Sequence, residues 1–328
     1  MPPKKFVKAR KSMAEKIITD LRAKGIFDRN FSVIRNEEFV YIPVRDDYSG
    51  EHIVIDAEPR ITVPSASGSF DTIGTIVVMK RYDEALAHDI LKTHRNIRSV
   101  FFDEGVAGSE RKRRLRLIAG DGNTVTEYRE NGCNFIIDIS KAYFSPRLAT
   151  ERRRLIDQVS DGEFIFDMFA GVGPISIEIA RYHRVRIIAS DINCEAINML
   201  QQNMTRNALR GVIEPVCADA RSVASEISEA DRVIMNNPTA SFSFLPDALK
   251  TIRVGGTVNY YEFLDVSGLE SRLVDLKSVG LEPVDIHRVH SYSKTISLYS
   301  MTLKKRKQVI DRSDIASESD ERRSYIRR

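Results

Sequence analysis

The chain has 328 residues, of which 42% are hydrophobic and 29% charged, the proportions of a globular protein of two or three domains. No apolar run approaches the roughly 18 residues of a membrane span, and Met1-Pro-Pro-Lys-Lys has neither the apolar stretch nor the cleavage site of a secretory signal. Three cysteines far apart in sequence, Cys133, Cys194 and Cys217, point away from a disulfide scaffold or a thiolate zinc site and toward a reducing, cytoplasmic setting.

The formal net charge of +4 is unevenly spread, with basic stretches at 1–28 and 301–328 on an acidic middle. Such ends suit a polyanion such as nucleic acid, and equally suit solubilising termini. Residues 7–24 place Ala9, Met13, Ile17 and Leu21 at a spacing of about 3.6, which predicts a basic amphipathic helix. Val33-Ile34, Phe39 to Pro43 and Ile53 to Ile55 read as short strands, closing an N-terminal module at 1–56. Pro59, Pro64 and three serines mark 57–69 as linker. A middle α+β domain follows over 70–148. Its strands are read at Thr72 to Met79, Val100 to Phe102, Arg113 to Ile118, Thr124 to Glu130 and Phe135 to Ile139, with a helix from Tyr82 to Lys92.

From 149 to 303 strand and helix alternate. Strands at Phe164, Arg186, Ile213, Arg232 and Thr257 are each followed by a helix, and two consecutive strands close the run. Repeated βα units predict a Rossmann-like α/β domain, a mostly parallel sheet with an antiparallel edge. The tail, 304–328, is charged and poor in apolar residues, and is expected to be flexible.

Asp167-Met-Phe-Ala-Gly-Val-Gly-Pro lies where an apolar strand meets a helix. Gly171 and Gly173 permit a tight turn and a close approach of backbone to a ligand, although Ser176 stands where a dinucleotide fingerprint has its third glycine. Acids end three successive strands: Asp167, Asp191 and Asp219. An acid at the second strand end accepts ribose hydroxyls, and acids around a pocket suit a cationic ligand such as S-adenosylmethionine better than a dinucleotide. The other reading of each Asp is a helix cap. Asn236-Asn237-Pro238 after the fourth strand is a plain turn or an amide aimed at a planar substrate. His287 and His290, three apart on a strand, face opposite sides and give no metal site.

Asp138-Ile-Ser-Lys-Ala-Tyr-Phe-Ser-Pro-Arg-Leu-Ala-Thr-Glu-Arg, shortly followed by the glycine turn, resembles the archaeal and eukaryotic tRNA (guanine-37 N1)-methyltransferases. Ser109 to Arg114 and Glu130-Asn-Gly resemble the same family, whose fourth-strand motif is Asn-Leu-Pro or Asn-Pro-Pro where this chain has Asn236-Asn237-Pro238. The resemblance implies a class I domain preceded by smaller RNA-binding domains, with S-adenosyl-L-methionine as cofactor. It implies Glu151 as general base, Arg111 facing guanine O6, Asn236 positioning the base, and Tyr143, Pro146 and Arg147 beside cofactor or base. Phe169, Gly171, Gly173, Asp191, Ile192, Asp219, Ala220 and Asn236 would hold the cofactor. Burial is expected to raise the Glu151 pKa toward the working pH. The implied partner is tRNA, met at its anticodon loop and outer corner by a monomer, without membrane or metal. The alternatives are a wybutosine-pathway transferase acting on a modified base and a non-catalytic tRNA-binding protein. A nicotinamide-dependent dehydrogenase is a fourth reading, weakened by the missing third glycine.

Overall fold

The structure is a computed structural model that describes residues 3–28, 31–36, 38–57, 70–107 and 112–307. Most of the expected linker, the segment containing Arg111, and the tail from 308 lie outside the described residues. The chain divides into two units, Met1–Ser69 with Ala85–Arg95, and Phe70–Glu84 with Asn96–Arg328.

In the first unit, β1 (Pro3–Arg10) leads into α1 (Lys11–Ala23), followed by β2 (Ile34–Arg35), β3 (Phe39–Pro43) and β4 (Ile53–Asp56). The four strands form an antiparallel sheet in the order β2-β3-β1-β4. The expected helix from residue 7 is therefore a strand up to Arg10, where Phe6 to Arg10 pair with β3. Strand pairing outside the local window overrides the helical spacing. The buried stripe of α1 is Ala14, Ile18 and Leu21, packed with Ala9, Val40, Ile42 and Val44, while Met13 faces out. Helix α2 (Glu84–Thr93) follows later in the chain.

The second unit opens with β5 (Phe70–Ile73), β6 (Ile76–Met79), β7 (Ser99–Ala107) and β8 (Lys112–Gly120), a sheet in that order in which β6 and β7 are parallel. The single strand expected from Thr72 to Met79 is thus a hairpin, reversed at Gly74, whose φ of 55° suits glycine. A separate hairpin pairs β9 (Val125–Glu130) with β10 (Cys133–Asp138). A 3-10 turn at Pro146–Leu148 leads into α3 (Ala149–Ile156).

There follow β11 (Phe164–Asp167), α4 (Pro174–Tyr182), β12 (Arg186–Asp191), α5 (Cys194–Thr205), β13 (Val212–Cys217), α6 (Ala220–Ala224) and β14 (Ala230–Met235). Then come α7 (Ser241–Thr251), β15 (Ile252–Leu264), α8 (Val266–Ser278), β16 (Leu281–Ser291) and β17 (Ser297–Lys305). The sheet order is β13-β12-β11-β14-β15-β17-β16. Pairings are parallel from β13 through β15, and β17 runs antiparallel to both its neighbours. The expected α/β class is present, with the antiparallel strand one place in from the edge. One apolar cluster includes the β10 side chains Cys133, Phe135 and Ile137 with α4 and α5, and another joins α6, α7 and α8 to Phe166, Val233 and Tyr260.

Asn203 on α5 ties these layers together. Its amide accepts from the Ile136 N–H at 2.7 Å and donates to the Ile136 and Val172 carbonyls, both at 3.1 Å. The glycine turn is thereby fixed to the β9–β10 hairpin. Against the expectation of unpaired thiols, Cys194 and Cys217 form a disulfide. The β12–β13 register sets Asp191 beside Cys217, so residues remote in sequence meet at adjacent strand ends. Among the described residues no helix is long and apolar enough to cross a membrane.

Candidate active site

Strand order reverses between β11 and β14, and in open α/β sheets the ligand crevice lies outside the carboxyl ends at such a point. A cavity of about 540 Å³ lies there. Phe169, Gly171, Asp191, Ile192, Asp219, Ala220 and Asn236 line it, and so do Tyr143 and Arg147. Four expected site residues stand apart. Gly173 and Glu151 do not line the cavity, Pro146 is absent from the lining between Ser145 and Arg147, which are part of it, and Arg111 lies outside the described residues.

The two glycines have different reasons to be glycine. Both have positive φ, 55° at Gly171 and 87° at Gly173. A Cβ at Gly173 would come within 2.1 Å of Leu200 Cδ1 on α5, whereas at Gly171 it would meet open space. The close approach at Gly173 is to a helix rather than to a ligand, which corrects the reading from spacing alone. The Gly171 N–H donates to Asp191 at 2.8 Å, and the Asn193 N–H donates to the other carboxylate oxygen at 2.9 Å. Asn193, not Asp191, caps α5. Asp219 does cap its helix, accepting from the Arg221 N–H at 2.8 Å, and lines the cavity as well. Ser176, in the third-glycine position, is fully buried and donates its hydroxyl to Asp167 at 2.7 Å. Burial pushes the Asp167 pKa up to about 6.

The apolar and acidic lining fits S-adenosylmethionine. The Phe169 ring meets Phe244 edge-on at 5.0 Å, and Arg221 stacks on Phe244 at 4.0 Å. Both rings lie in the cavity lining together with the Asp191 and Asp219 side chains. The Asn236 loop is tied from below, with the Ser241 hydroxyl within 2.9 Å of the Met235 and Asn237 carbonyls. Asn237, the departure from the family motif, accepts from the Thr239 hydroxyl at 3.1 Å.

Glu151, on the first turn of α3, is only 4% exposed. Arg154 grips it through two hydrogen bonds of 2.9 and 2.8 Å, and the Tyr261 hydroxyl donates at 2.9 Å. Arg154 also reaches Asp285 at 2.6 Å and the Ser300 hydroxyl at 2.7 Å. Burial alone would raise the carboxyl pKa, but hydrogen bonds from Arg154, Ser300 and Tyr261 outweigh it and hold the group below its ordinary value. The expected upward shift is therefore overturned. The sequence placed Glu151 on α3 but held no sign of Tyr261 or Ser300, which come from β15 and β17.

Other cavity residues carried no signal in the sequence. Asp71 on β5, 5% exposed, pairs with Arg147 at 2.5 Å. Arg113 on β8 is not in the lining itself but stacks over the lining residue Tyr143 at 4.6 Å and donates to the Phe144 carbonyl at 3.1 Å. Phe263, His290 and Tyr292 close the far side.

A family profile described as the TRM5/TYW2 methyltransferase domain matches residues 126–278, and one described as the tRNA methyltransferase 5 N-terminal domain matches residues 7–52. Over 262 residues the chain is 36% identical to the tRNA (guanine(37)-N(1))-methyltransferase Trm5b of Pyrococcus abyssi, covering 73% of this chain and 78% of that one. The chain belongs to the tRNA (guanine(37)-N(1))-methyltransferase family. This methyltransferase chain is also 32% identical over 178 residues to the tRNA 4-demethylwyosine(37)-methyltransferase Taw21 of Saccharolobus solfataricus, covering 54% of this chain and 68% of that one. Its fold is similar to that of aTrm5 in a solved complex with tRNALeu, with a TM-score of 0.67 at 28% identity over 92% of this chain and 99% of that one.

Proposed function

We propose that this protein transfers a methyl group from S-adenosylmethionine to N1 of guanosine 37 in tRNA. The observation that carries the reading is the single cavity in which the Gly171 turn and Asp191 meet Tyr143, Arg147 and the Asn236 loop. When bound, S-adenosylmethionine supplies an electrophilic methyl group on a sulfonium. Phe169, Gly171, Asp191, Ile192, Asp219 and Ala220 would hold it. Gly173 shapes the turn behind them.

Guanine N1 carries a proton at neutral pH, so a base must take that proton for N1 to become a nucleophile. Glu151 is the base in this reading. Its depressed pKa keeps it ionised and able to accept, though weakly basic while Arg154 grips it. Arg154 also touches Asp285. The charge that moves to O6 meets Arg111, a cation that stays protonated. The Asn236 amide offers both a donor and an acceptor to the base edge. The substrate side rests on the names of the relatives and on the complex of aTrm5 with tRNALeu.

The test is methyl transfer to transcripts bearing guanine or adenine at position 37, with product nucleosides identified by mass spectrometry. N1-methylguanosine from the guanine transcript alone is expected; no methylated guanosine with cofactor binding retained would refute the reading. Glu151→Gln should lower kcat by about 100- to 10,000-fold, the worth of a general base, with S-adenosylmethionine affinity unchanged. Its residual rate should climb with pH more steeply than that of the parent, because N1 then loses its proton to solvent. A second reading, methylation of a wyosine-type base at the same position, is favoured by the likeness to Taw21, and a substrate carrying 4-demethylwyosine separates the two.

A further inference from the structure

The far side of the cavity is built from the ends of β15 and β16. Phe263 stands near the end of β15, His290 is the penultimate residue of β16, and Tyr292 follows that strand, all three lining the cavity. The Tyr292 ring centre is 5.0 Å from that of Phe263, the planes tilted by 50°. Tyr292 is nevertheless 72% exposed. A single exposed aromatic is ordinary on a protein surface. This one sits at the mouth of a cavity on a braced turn. The Tyr292 and Ser293 N–H groups both donate to the Ile296 carbonyl, at 2.9 and 3.0 Å. Arg288 spans the hairpin, donating to the Ser291 hydroxyl at 2.7 Å and to the Ser297 hydroxyl at 2.9 Å.

Two residues before Tyr292, and lining the same cavity, stands His290. Its Nδ1 is enclosed and has no hydrogen-bond partner among the described residues, so packing alone holds the ring. Burial, then the nearby Arg147, depresses its pKa against the opposing pull of Asp71, which favours the uncharged ring. Two residues after Tyr292, Lys294 is exposed. The hairpin therefore offers an open aromatic ring and an imidazole in the cavity lining and an exposed cation two residues on. A flat, uncharged ring system linked to a phosphate backbone matches that set.

We propose that Tyr292 is the stacking partner of the extruded target nucleobase, with Lys294 meeting a flanking phosphate. The inference rests on the proposed function and adds the residue that holds the base. An aromatic face accepts the π surface of any base. Tyr292 thus supplies grip, and the polar groups across the cavity supply base identity.

The experiment uses the full chain with tRNA transcripts, comparing the parent with Tyr292→Ala, Tyr292→Phe and Lys294→Gln. Tyr292→Ala should lower kcat/KM for tRNA by about 10- to 100-fold, the worth of one base–aromatic stack, while Tyr292→Phe stays within about threefold of the parent. Calorimetry should find S-adenosylmethionine affinity unchanged in both, and the preference for guanine over adenine at position 37 should persist. A tRNA carrying 2-aminopurine at position 37 should be quenched by the parent and brighten when Tyr292→Ala replaces it. Lys294→Gln should flatten the salt dependence of tRNA binding by about one unit of slope. Unchanged kcat/KM in Tyr292→Ala overturns the inference while leaving the function in place. A parallel loss of cofactor affinity also overturns it, by assigning Tyr292 to the cofactor half. A parent protein that transfers no methyl group to guanosine 37 overturns the functional reading and the inference with it.

Discussion

Gly173 and Asp191 flank the same bend yet answer to different demands. Gly173 is required by backbone conformation and by the Leu200 side chain. Alanine there meets both a left-handed φ and an overlap with α5, which together cost about 1–3 kcal/mol. Asp191 instead accepts two backbone N–H groups and faces the cavity. Gly173→Ala should lower the melting temperature clearly. Asp191→Ala should weaken S-adenosylmethionine binding by more than tenfold with a smaller effect on melting, since a ribose held by a carboxylate loses a charge-assisted hydrogen bond worth about 1.5–3 kcal/mol. Thermal unfolding and calorimetry on the two variants separate the roles. Equal cofactor affinity in Asp191→Ala and the parent would remove Asp191 from the binding set.

Helix α3 carries a very polar sequence and buries much of it. Glu151 and Arg152 are almost fully enclosed, Glu151 held by Arg154 of the same helix and by Tyr261 of β15, Arg152 by a partner from elsewhere in the chain. Arg152 forms a two-pronged pair with Glu130 of β9, the outer contact at 2.7 Å, and lies 3.9 Å from Glu178 of α4. Glu178 accepts from the Asn131 amide at 2.8 Å, and its other oxygen has no hydrogen-bond partner among the described residues. Burial, opposed by Asn131 and reinforced by Glu130, pushes the Glu178 pKa up to about 8. A raised carboxyl pKa means that the unfolded chain ionises first, so this group lowers stability progressively as pH rises from its ordinary value of 4.5 to about 8, and no further beyond. Glu178→Gln should therefore gain stability over the parent as pH rises through that window, a trend that paired melting curves will reveal. Arg152→Ala leaves two buried carboxyls without their cation and should cost about 3–5 kcal/mol. The pairing with Glu130 was invisible in sequence because 22 residues and a hairpin turn separate the partners.

At the scale of the whole molecule, the first unit has its own apolar cluster, and the described residues that line the cavity belong to the second. Removing residues 1–56 should leave S-adenosylmethionine affinity intact and narrow the difference between full tRNA and a bare anticodon stem-loop. Equal use of both substrates by the intact protein would deny the unit a role in tRNA recognition. The α/β class, the glycine turn, the acids at successive strand ends and the Asn236 loop were all legible from the chain, because each depends on a few neighbouring residues and on the period of the apolar pattern. The order of the strands, which face covers which, and the partners of most charged groups were not; the exception is Glu151, whose pairing with Arg154 three residues on follows ordinary helix spacing. Residues 3–10 became a strand only because β4 and β3 lie alongside. Glu151 became a gripped, low-pKa carboxylate only because Arg154, Tyr261 and Ser300 converge on it. Local sequence sets local conformation and the character of the strand-end loops. Proton affinity, ion pairing and the far wall of the cavity depend on groups from separate strands, and only the folded arrangement sets the distances between them.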